Sequence, residues 1–442
     1  MRTRKIITAA FICLLALPVM QAQQKVWTLS ECIDYALNEN IQVRKAGVST
    51  SVGEITLRQA LDDRWPDLSA SAHESFGWQK ATNEVTGTTS LNGSNSTSLS
   101  LSSGVTLFSG FQVQNNIKKA EISYQSLQYE TEVTKESVSL NILNAYLQVL
   151  YAEEQVTNSK NQAEATRGEL ALAAERLRLG AIANSDYLQV KTQLASEELT
   201  LANAVSNLAM ANVTLMQLME LPVDEGFTIA NPNIDAIIST PTTEDAAAVY
   251  ETALQVKPEV KSASLVREGS QIDLEIAKAG YWPTISLSGG ISTNYLSAAE
   301  AVTTGSQLTS NFTPSVGLSA SIPIFRNNQT KSSVAKAKAA ITNAGLDELN
   351  TRNQLRKEIE QACLDARYAS TNFEAAMRQH EAALESYNVA EEKFSLGAMN
   401  SVDFLLQKTS LTTAESNLLQ AKYQLLYSYK IIDFYKGIPL SL

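Results

Sequence analysis

His73 and His380 are the only histidines in this 442-residue chain, and each is followed by a glutamate. His-Glu opens the helical motif in which two histidines hold zinc and the glutamate acts as base, but neither site has a second histidine four residues on. There is no Gly-x-Ser-x-Gly elbow, no Cys-x-x-Cys pair and no phosphate-cradling glycine loop. Three cysteines supply no disulfide scaffold; Cys32 and Cys363 fall on separate helical patterns and read as buried, unpaired thiols. No catalytic, metal-binding or cofactor-binding set emerges, so neither an enzyme nor a cofactor is expected. His73 reads as a polar strand residue and His380 as a helix-surface residue. The formal net charge of −11, with no basic block, argues against nucleic acid as a partner.

The carboxylates with informative spacing are Asp186 and Asp403. Each follows a glycine, in Arg176-Leu177…Gly180…Asp186-Tyr187-Leu188 and Lys393-Phe394…Gly397…Asp403-Phe404-Leu405. They stand 217 residues apart, and that shift aligns the chain with itself without a gap. Ala36-Leu37 falls on Ala253-Leu254, Trp65-Pro66 on Trp282-Pro283, Trp78 on Tyr295, Leu107-Phe108 on Ile324-Phe325, and Leu221-Pro222 on Ile438-Pro439. The period is far longer than a solenoid repeat, so each copy is a complete module. The sequence therefore divides into a first repeat over 23–222, a linker over 223–244 and a second repeat over 245–442.

The elements that must position the two carboxylates follow from hydrophobic period. Leu29 to Arg64 predicts a helix capped by Ser30 and stopped by Pro66. From Asp67 the period becomes two. Leu68, Ala70, Ala72, Phe76 and Trp78 share one face, and Ser69, Ser71, His73, Ser75 and Gly77 the other. A polar span, Gln79–Ser98, precedes a second alternating run with Leu99, Leu101, Val105 and Leu107 on its apolar face. The second copy repeats this, with Ile285, Leu287, Gly289 and Ile291, a polar span Ser297–Ser310, then Val316, Leu318, Ala320 and Ile322. Each copy thus predicts one hairpin, at about 67–108 and 283–325.

Long proline-free helical patterns then run from Gln112 to Leu179 and from Gln329 to Leu396, broken at Gly180 and Gly397. The returning helices, reaching about residues 220 and 436, carry heptads. Tyr187, Leu194, Leu201, Leu208 and Leu215 lie beside Leu188, Ala195, Ala202, Ala209 and Met216; Phe404, Leu411, Leu418, Leu425 and Ile432 form the matching stripe. Such stripes mean long antiparallel helical hairpins packed as coiled coils.

Arg2, Arg4 and Lys5 precede an apolar run from Ile6 to Met20 and then Gln21-Ala22-Gln23, the order of a secretory signal peptide over residues 1–22. No later unbroken apolar stretch of spanning length is evident, so crossing a membrane by helices is not expected. The four strands pair an apolar row, with Trp78, Tyr295 and Phe312 near the polar loops, against a row of Ser, Thr and Gly. That is the alternation of a membrane barrel strand, yet four strands cannot close a barrel. Either they form a small soluble sheet or several chains pool them.

The order helix, hairpin, long helix, glycine turn, long helix, written twice, resembles the TolC-like outer-membrane efflux ducts. The resemblance covers the chain from Trp27-Thr28-Leu29 to Gly437-Ile438-Pro439. It implies a mainly α fold with membrane β-strands, in which three chains each give four strands to one twelve-stranded barrel and their helices form a tunnel. It further implies an outer-membrane location reaching into the periplasm, a homotrimer, a periplasmic adaptor (membrane fusion protein), an inner-membrane pump, and contact with outer-membrane lipid. The constriction would lie at the Gly180 and Gly397 turns. There Asp186 and Asp403 are either helix caps or gating and ion-selecting groups. Leu406 stands where members often carry a second acidic ring, and Phe394 and Met399 stand where some carry a Tyr–Arg latch. Closure would then rest on other contacts such as apolar packing. Arg176, Leu179, Lys393 and Leu396 become adaptor-contact candidates. The competing expectation is a secreted soluble coiled-coil scaffold or adhesin. The exported substrate, the adaptor and pump class, and the resting state of the tip are not written in the sequence.

Overall fold

The computed structural model describes residues 25–82, 84–223, 226–238, 245–297 and 304–442. The expected signal peptide lies outside them. The chain forms two compact units that cut across the two repeats, each unit drawing on both copies. One contains Ala46–Glu132 and Pro258–Gln354; the other contains the chain up to Lys45, Val133–Lys257 and Leu355–Leu442.

The first of these units carries a sheet of β2 (Ser69–Thr82), β3 (Thr89–Phe108), β5 (Thr284–Leu296) and β6 (Thr313–Ser321), antiparallel in that order. Directly opposed residues share a face, so the register tests the two rows. Ala70 faces Leu101, which faces Ile291; Leu287 faces Leu318. On the other side Ser71, Ser100, Ser292 and Thr313 form one rung. The hydroxyls of that row pair with each other, Ser69 with Ser102 at 2.8 Å and Ser71 with Ser100 at 2.7 Å.

The strands depart from expectation in both hairpins. The polar span Gln79–Ser98 is mostly paired strand, with Asn92 opposite Gln79 and Gly93 opposite Trp78. A ladder can continue after hydrophobic alternation ends, wherever both faces are wet. A register shift between Thr106 and Phe108 sets Phe108, not Leu107, opposite Ile285. Glu74 falls on the apolar row, where its carboxylate accepts hydrogen bonds from Asn95 Nδ2 at 3.1 Å and from the Thr97 hydroxyl. In the second hairpin, a short helix over Thr304–Ser310 occupies part of the polar span, and β6 ends at Ser321, ahead of Pro323.

In the other unit, β1 (Val26–Trp27) pairs in parallel with β4 (Thr228–Ile229). The segment expected as a plain linker thus returns to the N-terminal strand, and Ile229, Ile234 and Ile238 are buried. The predicted single helix Leu29–Arg64 is two, α1 (Leu29–Glu39) and α2 (Ile41–Asp62), parted at Asn40, whose backbone is extended. Its copy is parted at Lys257 into α6 (Ala246–Val256) and α7 (Pro258–Ala279), after the short helix α5 (Ile234–Ile238). Thr28, not Ser30, caps α1, in a reciprocal box with Glu31.

The long helices are continuous. α3 (Gln112–Arg178) and α9 (Gln329–Ser395, after the short α8, Thr304–Ser310) have 67 residues each, about 100 Å at ~1.5 Å per residue. α4 (Asn184–Leu218) and α10 (Ser401–Tyr435) have 35 each. Contrary to expectation, α4 is long and apolar enough to cross a membrane, with a mean hydropathy of 1.2 over its best window. Over residues 199–218 its Ala, Leu, Val and Met content is interrupted only by uncharged Asn, Thr, Ser and Gln, the helix's charges all lying before them. Its seam also differs from the predicted one. Leu194 and Leu215 are buried as expected, but the second column is Glu197, Ala204 and Ala211, while Ala195, Ala202 and Ala209 are exposed.

Candidate functional site at the paired helix tips

Two hairpin turns, α3–α4 and α9–α10, close with the same backbone. Ala181 N–H donates to Arg176 O and Ala398 N–H to Lys393 O, each at 2.8 Å. Gly180 N–H donates to Leu177 O and Gly397 N–H to Phe394 O. These are Schellman caps, and they require the left-handed residue they contain: φ is +73° at Gly180 and +75° at Gly397. Nothing lies within 4 Å of a Cβ added at either glycine, so dihedral angle alone selects it.

After the turns the two copies diverge. Asn400 caps α10, its side chain accepting from Asp403 N–H at 2.8 Å and donating to the Asp403 carboxylate at 2.8 Å. α4 begins at Ala183 with no side-chain cap. Asp186 instead accepts from Ser401 Oγ at 2.9 Å, joining the first hairpin to the second. Asp403 is thus both a capping partner and an exposed carboxylate, and Asp186 is a bridge.

Aromatic packing occupies the second tip. Phe394 and Phe404 stack with centroids 4.6 Å apart and planes 5° from parallel, and Tyr387 adds a tilted contact at 5.8 Å. The Arg176 guanidinium lies 5.8 Å from the Phe394 ring, a cation–π contact between hairpins. Burial and the neighbouring Glu391, Glu169 and Glu197 push the Tyr387 phenol upward, so it stays neutral. Between the tips is a cavity of about 560 Å³, whose walls include Leu172, Ile182, Met399 and Leu405. Leu179, Leu396 and Leu406 are exposed, as is Lys393; Arg176 and Met399 are half-buried.

The three aromatic interface candidates are in the sheet unit. Trp78 is exposed opposite Gly93, Tyr295 stands opposite Thr97, and Phe312 is exposed one residue before β6.

The family model described as outer membrane efflux protein matches residues 32–220 and 249–433, one segment in each repeat. The chain belongs to that family. Among curated members of the wider group, outer membrane protein TolC of Vibrio cholerae is 23% identical over 323 residues, covering 71% of this chain and 70% of that protein. TolC of Escherichia coli is 23% identical over 405 residues, covering 90% and 80%. Among solved structures, a crystal structure of CusC, described with its transmembrane channel formation, superposes with a TM-score of 0.80 at 17% identity, over 93% of this chain and 92% of that one. This efflux-family chain is an outer-membrane protein, which sets aside the soluble scaffold or adhesin.

The sequence reading missed one feature of the tips. Lys408 is buried, and its ammonium meets carboxylates from both helices of the first hairpin. The signal was available. Lys408 lies between Phe404 and Leu411 at helical core spacing, where a charge stands out.

Proposed function

We propose that three copies of this efflux-family chain pool their sheets into one twelve-stranded barrel. The assembly acts as a duct, exporting substrates together with a periplasmic adaptor and an inner-membrane pump, in efflux or type I secretion. One observation carries the reading. The sheet has an apolar face, a hydroxyl-lined face, and two edges, β2 and β6, with no further strand beside them among the described residues. An unpaired edge in lipid costs several kcal/mol per unsatisfied backbone group, and closure with neighbouring copies removes it. The duct performs no chemistry, so its working residues are those of its constriction.

Asp403 is the candidate for a ring of three carboxylates that attracts cations, with Asp186 beside it. Leu406 supplies no second acidic ring. The Phe394–Phe404 stack and the Asp186–Ser401 bond replace a Tyr–Arg latch, with Met399 at the cavity wall. Arg176, Leu179, Lys393 and Leu396 flank the two turns and suit adaptor contact. Light scattering with detergent mass subtracted is expected to give three chains per particle; a monomer dispersed without detergent refutes the barrel. In planar bilayers Asp403→Asn is expected to weaken cation selectivity, and unchanged selectivity removes Asp403 from the filter.

A further inference from the structure

The middle of the helical unit has one face that carries no charge. Over residues 141–150 of α3 only Asn141, Asn144 and Gln148 are exposed. Over residues 411–430 of α10 only Thr413, Asn417, Gln420, Gln424 and Tyr427 are. Asn144 and Gln148 stand two positions either side of Tyr146, about 200° around the helix from it. Tyr146 donates to Ala230 O, next to β4, at 2.6 Å. Gln420 and Gln424 stand likewise either side of Lys422, which meets Asp235 of α5 at 3.0 Å. Both helices therefore turn these uncharged lines away from β4 and α5.

On that face a groove of about 400 Å³ runs between α3 and α4. Ala152, Ala204 and Ala211 are small enough to leave it open, and Gln148, Tyr151, Gln155, Asn207 and Met210 surround them. None of its lining residues is charged, nor is any lining the adjoining groove between α3 and α10, which shares Gln148 and Tyr151. The side-chain oxygen of Gln155 is buried with no hydrogen-bond partner among the described residues. An acceptor in that position is costly while unpaired and is satisfied by a donor placed in the groove.

We propose that this groove is a binding site for uncharged, flat molecules that donate an N–H or O–H to Gln155 Oε1. A ring lies on the alanines and against the Met210 sulfur, and the amides of Gln148 and Asn207 serve its remaining polar atoms. An ion would lose its water and meet no opposite charge. That the ligand is cargo rests on the three-chain duct reading. Three copies of β1, β4 and α5 inside the bore would obstruct it, so they stand outside and the groove faces inward. Cargo touches the wall there and leaves again, since passage requires binding weak enough to release.

The test uses the full-length protein in detergent and three probes that share an indole ring: neutral N-acetyltryptamine, cationic tryptamine and anionic indole-3-acetate. Binding is read by saturation-transfer NMR, with protein-free micelles as the blank. N-acetyltryptamine should bind saturably and roughly tenfold more tightly than either ion. Gln155→Met, which keeps the length and removes the acceptor, should weaken it by roughly twofold to tenfold. Gln155→Glu should reverse the order, so that tryptamine binds most tightly, a gain that a damaged fold does not produce. No saturable binding above the blank, or the same order of the three probes in parent and Gln155→Glu, overturns the proposal.

A second arm tests the placing in the bore. In planar bilayers, a cationic methanethiosulfonate acting on Asn207→Cys should change the conductance, and N-acetyltryptamine should slow the change. A thiol shown by mass to be modified while conductance stays constant overturns the placing. If the parent protein forms no channel at all, the duct reading fails, while the order of the three probes in detergent still decides whether the groove takes neutral ligands.

Discussion

Alanine at Gly397 separates two roles that the turn could have. Its φ of +75° costs an L-residue roughly 1–2 kcal/mol. Alanine also has fewer unfolded conformations to lose, which offsets about 0.4–1 kcal/mol. No atom lies within 4 Å of the new Cβ, so no steric term is added. The net is about 1 kcal/mol, roughly a fivefold rise in local opening. Amide exchange of Ala398, whose N–H closes the cap onto Lys393 O, reads it directly. Gly180→Ala should behave alike at Ala181, because its φ and its empty surroundings match. Gly437→Ala is the contrast. Its φ is +74°, but its Cβ would lie 2.6 Å from Val256 Cγ1, adding about 1–3 kcal/mol of overpacking. A change near a hundredfold at Ala398, or none, refutes the argument from open space. If the fivefold figure holds and export is nonetheless abolished, the open face of the turn is where a partner rests.

Tyr146→Phe removes the hydroxyl that donates to Ala230 O at 2.6 Å and lies 3.2 Å from Trp27 O, so urea unfolding should show a loss of about 1–3 kcal/mol. Cys32 is fully buried, and burial pushes its thiol up to about 12. The native protein at pH 8 should resist maleimide at this residue and react once unfolded in urea. Burial raises the Glu415 carboxyl, against a smaller opposing effect of His380. Its charged form is therefore penalised in the folded state, a penalty fully present above the raised value and absent once both states are protonated. Glu415→Gln should raise the thermal midpoint at pH 7, and the gain should fade as pH falls through the carboxylate range.

The duplication was legible because it was written in residues with stringent local demands. Trp-Pro junctions and left-handed glycines leave few alternatives, and α3 and α9 end within one residue of the expected points. The break at Asn40 was not legible, since asparagine neither forbids helix as proline does nor permits other backbones as glycine does. Its side chain is satisfied by Leu218 O, 178 residues away, a contact that no local pattern encodes. Paired strand beyond Gln79 escaped for a related reason. A hydrogen-bonded ladder needs no side-chain alternation, and period two marks a strand only where one face is dry. The tip was half legible. Repetition picks out its glycines and aspartates, whereas Glu197 and Lys408 are charged residues inside a seam whose sequence signal is apolar. Glu197 also displaces the predicted second column of α4 onto exposed alanines.

The two repeats have drifted in their strands, 14 and 20 residues in the first against 13 and 9 in the second, yet their helices match residue for residue, 67 with 67 and 35 with 35. Asp186 and Ser401 can meet only if both tips end level. Dropping one heptad from a single repeat would draw its tip back by about 10 Å and leave the bond between them unmade. The helices behave like the staves of a cask, which can be recut in wood or grain but only trimmed together. Insertions and deletions should therefore have accumulated freely in the strand loops of this lineage. In the helices they should appear in matched pairs, one in each repeat.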